Sequence, residues 1–378
     1  MEEELILDTL DEENNLSSFS VSIIIDNGEV RFPTLDLKFD NQGVKKEGTD
    51  RSSVFVQIRA QDIILKEFLG QGIGGYVQKA IYKPENIIIA VKTVNINNKD
   101  QRHQMLNELK VQLVGAKSEY IVQCFGAYYE PEEARIKIIL EYMDVGSLRD
   151  LMNILSDIHQ RPLYKHLPFI EEGVLCNIAY QMLKGIEFLH NNRKQIHRDI
   201  KPENILIDSH GNVKLTDFGI SKKIDKTYEI AKTFVGTAYY MSPERLEGQG
   251  SQFGGDIWGI GIVLIELATG KYPYNIDNIK SMFDLIVLLN NSPAPQLPSD
   301  TPFSDLFKDL LSKCLLMNNT SEIDNIINQN NNHHNNENNS NNNQNNLNAN
   351  LSQITANLFK NSEQLQNISQ NYKNIETE

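Results

Sequence analysis

Four polar residues near the middle of the chain have the types and spacing needed to move a phosphoryl group. Asp199, Lys201 and Asn204 place a carboxylate, an ammonium and an amide within six residues, and a second carboxylate, Asp217, follows a β-rich run. Phosphoryl transfer needs an oriented nucleophile and phosphate charge matched by metal ions and cations, with little covalent help. Asp199 can accept a hydrogen bond from an attacking hydroxyl, and Lys201 can neutralise the moving phosphate. Asn204 and Asp217 supply the oxygen ligands that Mg²⁺ prefers, so this spacing favours catalysis over a loop of solvated charges.

These residues carry a resemblance to a known family. The stretch from Ile196 to Asn204, with Asp217-Phe218-Gly219 downstream, resembles the catalytic loop and the metal-binding triplet of the protein kinases. The resemblance implies an α+β bilobal fold, with a β-rich N-lobe over residues 63–143 and a mainly helical C-lobe over residues 144–317. It also implies ATP and Mg²⁺ as cofactors, with Asp199 and Lys201 catalytic and Asn204 and Asp217 holding the metal.

A glycine-rich segment precedes the catalytic residues. Glycines at 70, 72 and 75 allow a tight turn that presents N–H groups to phosphates, but a dinucleotide-binding fold uses the same pattern. That fold needs a helix at once, whereas Val77 and the run from Ile87 to Lys92 predict strands, which is the kinase order. The resemblance implies that Lys92 positions ATP and is held by Glu108 in a helix over about residues 100–115. The residues it implies for nucleotide binding are Leu69, Gly70, Gln71, Gly72, Ile73, Gly74, Gly75, Tyr76, Val77, Ala90, Lys92, Glu141 and Met143.

The segment after Gly219 indicates which group of protein kinases the chain resembles. Phe234-Val235-Gly236-Thr237 and the run from Tyr240 to Arg245 look like the MAP kinase kinases. This implies a MAP kinase-like protein substrate, an upstream activating kinase, and regulatory phosphorylation at Thr227 and Thr233, where phosphate would pair with Arg198. Glu203 departs from the pattern, because members of this family usually have Ser there.

Composition and the ends of the chain limit the other functions. A net charge of −14 argues against a nucleic-acid partner, and no apolar run approaches the ~20 residues that span a bilayer. The opening Met1-Glu2-Glu3-Glu4 lacks the features of a secretory signal. Three scattered cysteines, Cys124, Cys176 and Cys314, favour reduced thiols in a cytoplasmic protein, which can also be nuclear.

The flanks of the predicted kinase domain look different from it. Residues 1–62 form an N-terminal regulatory segment whose Asn27-Gly28 pair predicts a hairpin that packs on the following domain. Residues 318–350 are an Asn-rich tract that predicts disorder. Residues 351–378 have heptad-like apolar spacing, which predicts an amphipathic helix that can self-associate.

The C-lobe lacks one expected ion pair. The family closes this lobe with an arginine that pairs the glutamate at position 244, yet no arginine follows Arg245 in the remaining 133 residues. Without that arginine, Glu244 can protonate, pair with a lysine such as Lys313, or remain solvated. Three hypotheses therefore stand: an active MAP kinase kinase-like enzyme over residues 63–317, another Ser/Thr kinase of the same cascade, or a pseudokinase scaffold with an incomplete C-lobe. The retained Lys92, Asp199 and Asp217 favour an enzyme.

Overall fold

The protein is described here by a computed structural model. It describes residues 3–5, 23–26, 29–32, 37–41, 43–46, 58–72, 75–97, 105, 117–159, 169–217, 238–248, 253–277, 279–299 and 301–316. The chain divides into two compact units. The first unit comprises residues 1–117, 122–142 and 217–221, and the second comprises residues 118–121, 143–216 and 222–378. The first is rich in strands and the second is mainly helical, so the α+β fold class predicted from the sequence is confirmed.

An antiparallel five-stranded sheet carries the functional residues of the first unit. Its strands are β6 (Ile63–Gly72), β7 (Gly75–Tyr82), β8 (Ile87–Asn95), β9 (Cys124–Glu130) and β10 (Arg135–Glu141), in the order β6-β7-β8-β10-β9. Alternate residues of a strand point to opposite faces. Ile89 and Val91 enter a core cluster with Tyr128 and Ile139, so Lys92, the next residue, projects from the other face.

A second antiparallel sheet occupies the N-terminal segment. It runs as β1 (Glu3–Leu5), β2 (Ile23–Asp26), β3 (Glu29–Phe32), β4 (Leu37–Asp40) and β5 (Gly43–Lys46), each strand paired with the next. Asp26 lies opposite Glu29, so β2 and β3 form a hairpin where the sequence predicts one, and Asn27 and Gly28 themselves lie outside the described residues. Val30 and Phe39 lie opposite each other and are fully buried. Strands β4 and β5 lie against β9, which ties this sheet to the larger one.

The described helices of the second unit surround one apolar helix. They are α1 (Leu148–His159), α2 (Glu172–Asn192), α3 (Pro243–Leu246), α4 (Phe253–Thr269), α5 (Met282–Asn291) and α6 (Asp305–Cys314). A small sheet joins β11 (Gly146–Ser147), β12 (Ile205–Ile207) and β13 (Val213–Leu215). Helix α4 is buried along nearly its whole length and contacts α2 and α6. Its apolar surface builds the core that fixes the catalytic loop.

Helix α2 buries one apolar face. Ile178, Met182, Ile186 and Leu189 fall on one helical face and are buried. Val174, in the first turn of the helix, is 49% exposed although the neighbouring Leu175 is fully buried.

The three cysteines are free and buried. Burial raises the pKa of Cys314 to about 12 and that of Cys176 to about 11, so both remain protonated thiols near neutral pH. Among the described residues, no helix is long and apolar enough to cross a membrane. The Asn-rich tract and the helix expected at 351–378 lie outside the described residues.

Candidate active site

The two oxygens of the Asp199 carboxylate have different surroundings. It is 6% exposed, and its Oδ2 atom accepts a hydrogen bond of 2.7 Å from the side-chain amide of Asn204. Lys201 forms an ion pair with the same oxygen at 2.8 Å. The other oxygen, Oδ1, is buried and accepts no hydrogen bond from any described residue. The arrangement leaves one oriented lone-pair site on a fixed carboxylate, which is what a hydroxyl nucleophile requires.

The amide nitrogen and the amide oxygen of Asn204 have different roles. Its nitrogen donates to both the backbone carbonyl and the carboxylate of Asp199, at 2.9 and 2.7 Å. These bonds use only the nitrogen, so the amide oxygen remains a possible metal ligand. The residue lies in the short 3₁₀ turn Pro202–Asn204, and its own carbonyl accepts a 3.1 Å bond from the N–H of Thr216.

The backbone of the catalytic loop is held from below by Asp256 of α4. This side chain is 2% exposed, and it accepts 2.8 Å hydrogen bonds from the N–H groups of His197 and Arg198 and from Nε2 of His190. Burial alone would raise the pKa of Asp256, but the bond and charge of His190 and the N–H of Arg198 lower it below its usual value. Arg198 has a φ of 71°, a strained conformation for a non-glycine residue. Asp256 therefore fixes a backbone shape that the chain would not adopt unaided.

In the first unit, Lys92 meets the carboxylate of Asp217. Lys92 is 4% exposed and forms an ion pair with Oδ1 of Asp217, whose φ is 60°. A buried ammonium is costly unless it is paired, and this contact supplies a partner. The predicted partner Glu108 lies outside the described residues.

The glycine-rich turn joins β6 to β7. Gly72 pairs with Gly75 at the end of the hairpin. Gly75 has a φ of 122°, and a Cβ atom there would lie 2.0 Å from the carbonyl oxygen of Thr93, so only glycine fits. Ile73 and Gly74 lie outside the described residues.

The other predicted nucleotide-binding residues surround this turn or follow the sheet. In the first unit, Leu69 and Gln71 are exposed, Gly70, Tyr76 and Val77 are half-buried, and Ala90 is buried. Glu141 ends β10, and its N–H donates a 2.9 Å bond to the carbonyl of Gln123. Met143 begins the next stretch of the second unit, where its carbonyl accepts from the N–H of Gly146 at 3.2 Å.

The structure thus brings the predicted site residues together in two groups. Asp199, Lys201 and Asn204 meet in the second unit, and Lys92 and Asp217 meet in the first. The predicted phosphorylation sites Thr227 and Thr233 lie outside the described residues. Sequence reasoning missed His190, whose only signal is that it is a basic residue in the last turn of α2.

The structure shows the surroundings of Glu203, which departs from the family pattern, and of Glu244, whose expected arginine partner is missing from the sequence. Glu203 forms an ion pair with Arg149 at 2.8 Å, a contact that the sequence analysis did not anticipate. Glu244 is half-buried and has no ion pair among the described residues. Lys313, one of the alternatives considered for it, pairs with Asp309 at 2.7 Å.

Comparisons with known proteins extend these observations. A family model described as the protein kinase domain matches residues 63–334. Mitogen-activated protein kinase kinase 1c of Physcomitrium patens is 39% identical over 273 residues, which cover 71% of this chain and 75% of that protein. Mitogen-activated protein kinase kinase 1 of Arabidopsis thaliana is 35% identical over 264 residues, covering 68% and 70% respectively. Mitogen-activated protein kinase kinase SIPKK of Nicotiana tabacum is 32% identical over 314 residues, covering 80% and 82%.

Proposed function

Because the chain belongs to the protein kinases and, within them, to the MAP kinase kinases, we propose that it phosphorylates the activation segment of a MAP kinase. The γ-phosphoryl group of ATP is transferred to Ser or Thr hydroxyls and to a Tyr hydroxyl. The observation that carries this proposal is the Asp199 carboxylate, with one oxygen bound to Asn204 and Lys201 and the other buried without a hydrogen-bond partner among the described residues. The relatives named above support the choice of substrate, because each is named as a kinase of a MAP kinase.

The chain's own residues divide the work of the transfer. Oδ1 of Asp199 accepts the hydrogen bond of the acceptor hydroxyl and takes its proton as the oxygen attacks the γ-phosphorus. The bond from that phosphorus to the bridging oxygen breaks, and ADP leaves. Lys201, fixed 2.8 Å from Oδ2, places a positive charge beside the acceptor site. Lys92 holds the phosphates of ATP in place.

The oxygen atoms of the site suit magnesium. Mg²⁺ prefers hard oxygen ligands and is usually held by one or two protein groups together with phosphates. The carboxylate of Asp217, in the first unit, and the amide oxygen of Asn204, in the second, which has no hydrogen bond with any described residue, are each ligands of this kind. When bound, the ion would neutralise phosphate charge as it moves toward the leaving group. Gly75, where a Cβ would collide with the Thr93 carbonyl, keeps the phosphate-binding turn close to the sheet.

Regulation is proposed on the same basis. An upstream kinase phosphorylates Thr227 and Thr233, and Arg198 provides the cation for the new charge. Arg198 supports this role because its Nε atom is buried with no hydrogen-bond partner among the described residues. The composition favours a cytoplasmic protein that can also enter the nucleus.

The test is phosphate transfer from radiolabelled ATP to a catalytically inactive MAP kinase. The full chain is expected to label the activation segment, and Asp199→Asn is expected to lower the rate by at least about 100-fold, because it removes the proton acceptor. Asp157→Asn is the matched control, since Asp157 is an exposed carboxylate of α1. No transfer by the wild-type chain, and none by a variant carrying Thr227→Glu and Thr233→Glu, would favour the pseudokinase scaffold instead.

A further inference from the structure

Four side chains from separate parts of the second unit meet beside the catalytic loop. The guanidinium of Arg149, on α1, donates 2.8 Å from Nε to Glu203 and 2.9 Å from Nη1 to Glu266. Its Nη2 atom donates to the second oxygen of Glu266 at 3.4 Å and to the hydroxyl of Tyr240 at 2.5 Å. Tyr240 in turn donates 2.6 Å to Glu266. A fork of this kind recognises a carboxylate with defined geometry.

The charges in this cluster do not balance. Two carboxylates share one guanidinium, so the cluster carries a net negative charge. Burial and the neighbouring Glu266 raise the pKa of Tyr240, which keeps its hydroxyl neutral. Burial alone would lower the pKa of Arg149, but its bonds to Glu266 and Glu203 raise it. The Glu266 side chain is 7% exposed, whereas that of Glu203 is 45% exposed and can reach another molecule.

The cluster adjoins the residue that bonds the Asp199 carboxylate. Glu203 follows Asp199 by four residues and belongs to the turn Pro202–Asn204, whose Asn204 bonds the Asp199 carboxylate. An acceptor hydroxyl that reaches Oδ1 of Asp199 therefore brings its neighbouring residues near Glu203. A pair of carboxylates at that position would attract a basic side chain of the substrate.

We propose that Arg149 is a specificity-determining residue: its guanidinium occupies the position between Glu203 and Glu266 that a basic side chain of the substrate would otherwise take. A substrate with Lys or Arg near its acceptor must then compete with a side chain that is already held by four hydrogen bonds. The chain accordingly selects acceptors whose flanking residues at this position are not basic. This inference rests on the proposed kinase activity and adds a rule for which acceptors are used.

The test compares substrates that differ by one charge. A catalytically inactive MAP kinase carries Ala or Arg at each of several positions on either side of the acceptor, and kcat/KM is measured for each pair. For the wild-type chain, Arg is expected to give no gain over Ala at any position. For Arg149→Ala, the ratio of Arg to Ala substrates is expected to rise about 10-fold at one or two positions, equivalent to about 1.4 kcal/mol. Arg149→Lys, which keeps the charge, is expected to remain close to wild type.

Two further variants keep the proposal falsifiable. Adding Glu203→Gln to Arg149→Ala removes the exposed carboxylate of the pair and is expected to cancel the gain. Glu203→Gln alone, at a position where the side chain is 45% exposed, is expected to lower the acceptance of Arg substrates below wild type. If Arg149 only stabilised the fold, its replacement would lower kcat/KM for Ala and Arg substrates equally. A ratio of Arg to Ala substrates that stays unchanged in every variant would overturn the proposal. Loss of transfer to all substrates by the wild-type chain would instead count against the proposed kinase activity.

Discussion

Replacing Asp256 by Asn tests whether α4 holds the catalytic loop in its strained shape. The carboxylate is 2% exposed and accepts three hydrogen bonds of 2.8 Å, from His190 and from the backbone of His197 and Arg198. An amide has the same shape but only one acceptor oxygen. Its NH₂ group would face at least one of these donors and would leave that donor buried and unsatisfied.

The cost follows from these contacts. A hydrogen bond to a charged group contributes roughly 1.5–3 kcal/mol, and a buried donor left without a partner adds a desolvation penalty of about 1–3 kcal/mol. Asp256→Asn should therefore lower the free energy of unfolding by about 3–5 kcal/mol, a large share of the roughly 5–15 kcal/mol of a typical domain. It should also lower kcat, because Arg198 holds a φ of 71° next to Asp199.

The pH dependence provides a second signature. The pKa of Asp256 is lowered in the folded protein, so its contribution to stability is fully present above the unfolded pKa of about 3.9 and is lost as the pH falls through the folded value. The stability difference between wild type and Asp256→Asn should thus shrink below about pH 4. Urea unfolding curves at a series of pH values measure this difference directly.

The control is Asp277→Asn, because Asp277 is exposed and accepts no hydrogen bond among the described residues. We expect this control to change the free energy of unfolding by less than about 0.5 kcal/mol. If Asp256→Asn costs less than about 1 kcal/mol, or no more than the control, Asp256 does not hold the loop and the reasoning fails.

Two other predictions concern the first unit. Gly75→Ala should destabilise the protein and raise the KM for ATP, because a Cβ would lie 2.0 Å from the Thr93 carbonyl oxygen and φ is 122°. Gly70→Ala is the control, since a Cβ at that position meets nothing within 4 Å. If thermal unfolding and ATP titration do not distinguish the two variants, the prediction is contradicted. Phe39→Ala should cost about 3–5 kcal/mol, since the ring is fully buried, while Phe283→Ala, at 72% exposure, should cost less than about 1 kcal/mol. Equal unfolding midpoints for the two phenylalanine variants would mean that the N-terminal sheet does not pack as described.

The parts of the site that the sequence predicted are those in which chemistry constrains residue type. Asp199, Lys201 and Asn204 are close in sequence, and a short turn suffices to make them meet. Helix α4 was also predictable, because an almost unbroken apolar run begins at Ile257. The structure begins it four residues earlier, at Phe253, where small residues leave no periodic signal.

The parts that the sequence did not predict depend on contacts between distant residues. Arg149 and Glu266 are 117 positions apart, and neither has a local pattern that reveals the other. Helix α5 has a capping box formed by Ser281 and Asp284, but its apolar run is short enough to be read as a strand. In the N-terminal segment only the Asn27-Gly28 turn gave a clear signal. The remaining strands alternate too briefly to be recognised by their periodicity.

The contact between β5 and β9 has a consequence for how the protein behaves in solution. β9 is the outermost strand of the larger sheet, and β5 is the outermost strand of the smaller one. Unpaired backbone groups on such a strand invite other chains to add on, which begins aggregation. Because β4 and β5 lie against β9, they limit the approach of other chains to this edge, and we expect that removing the N-terminal sheet would favour aggregation.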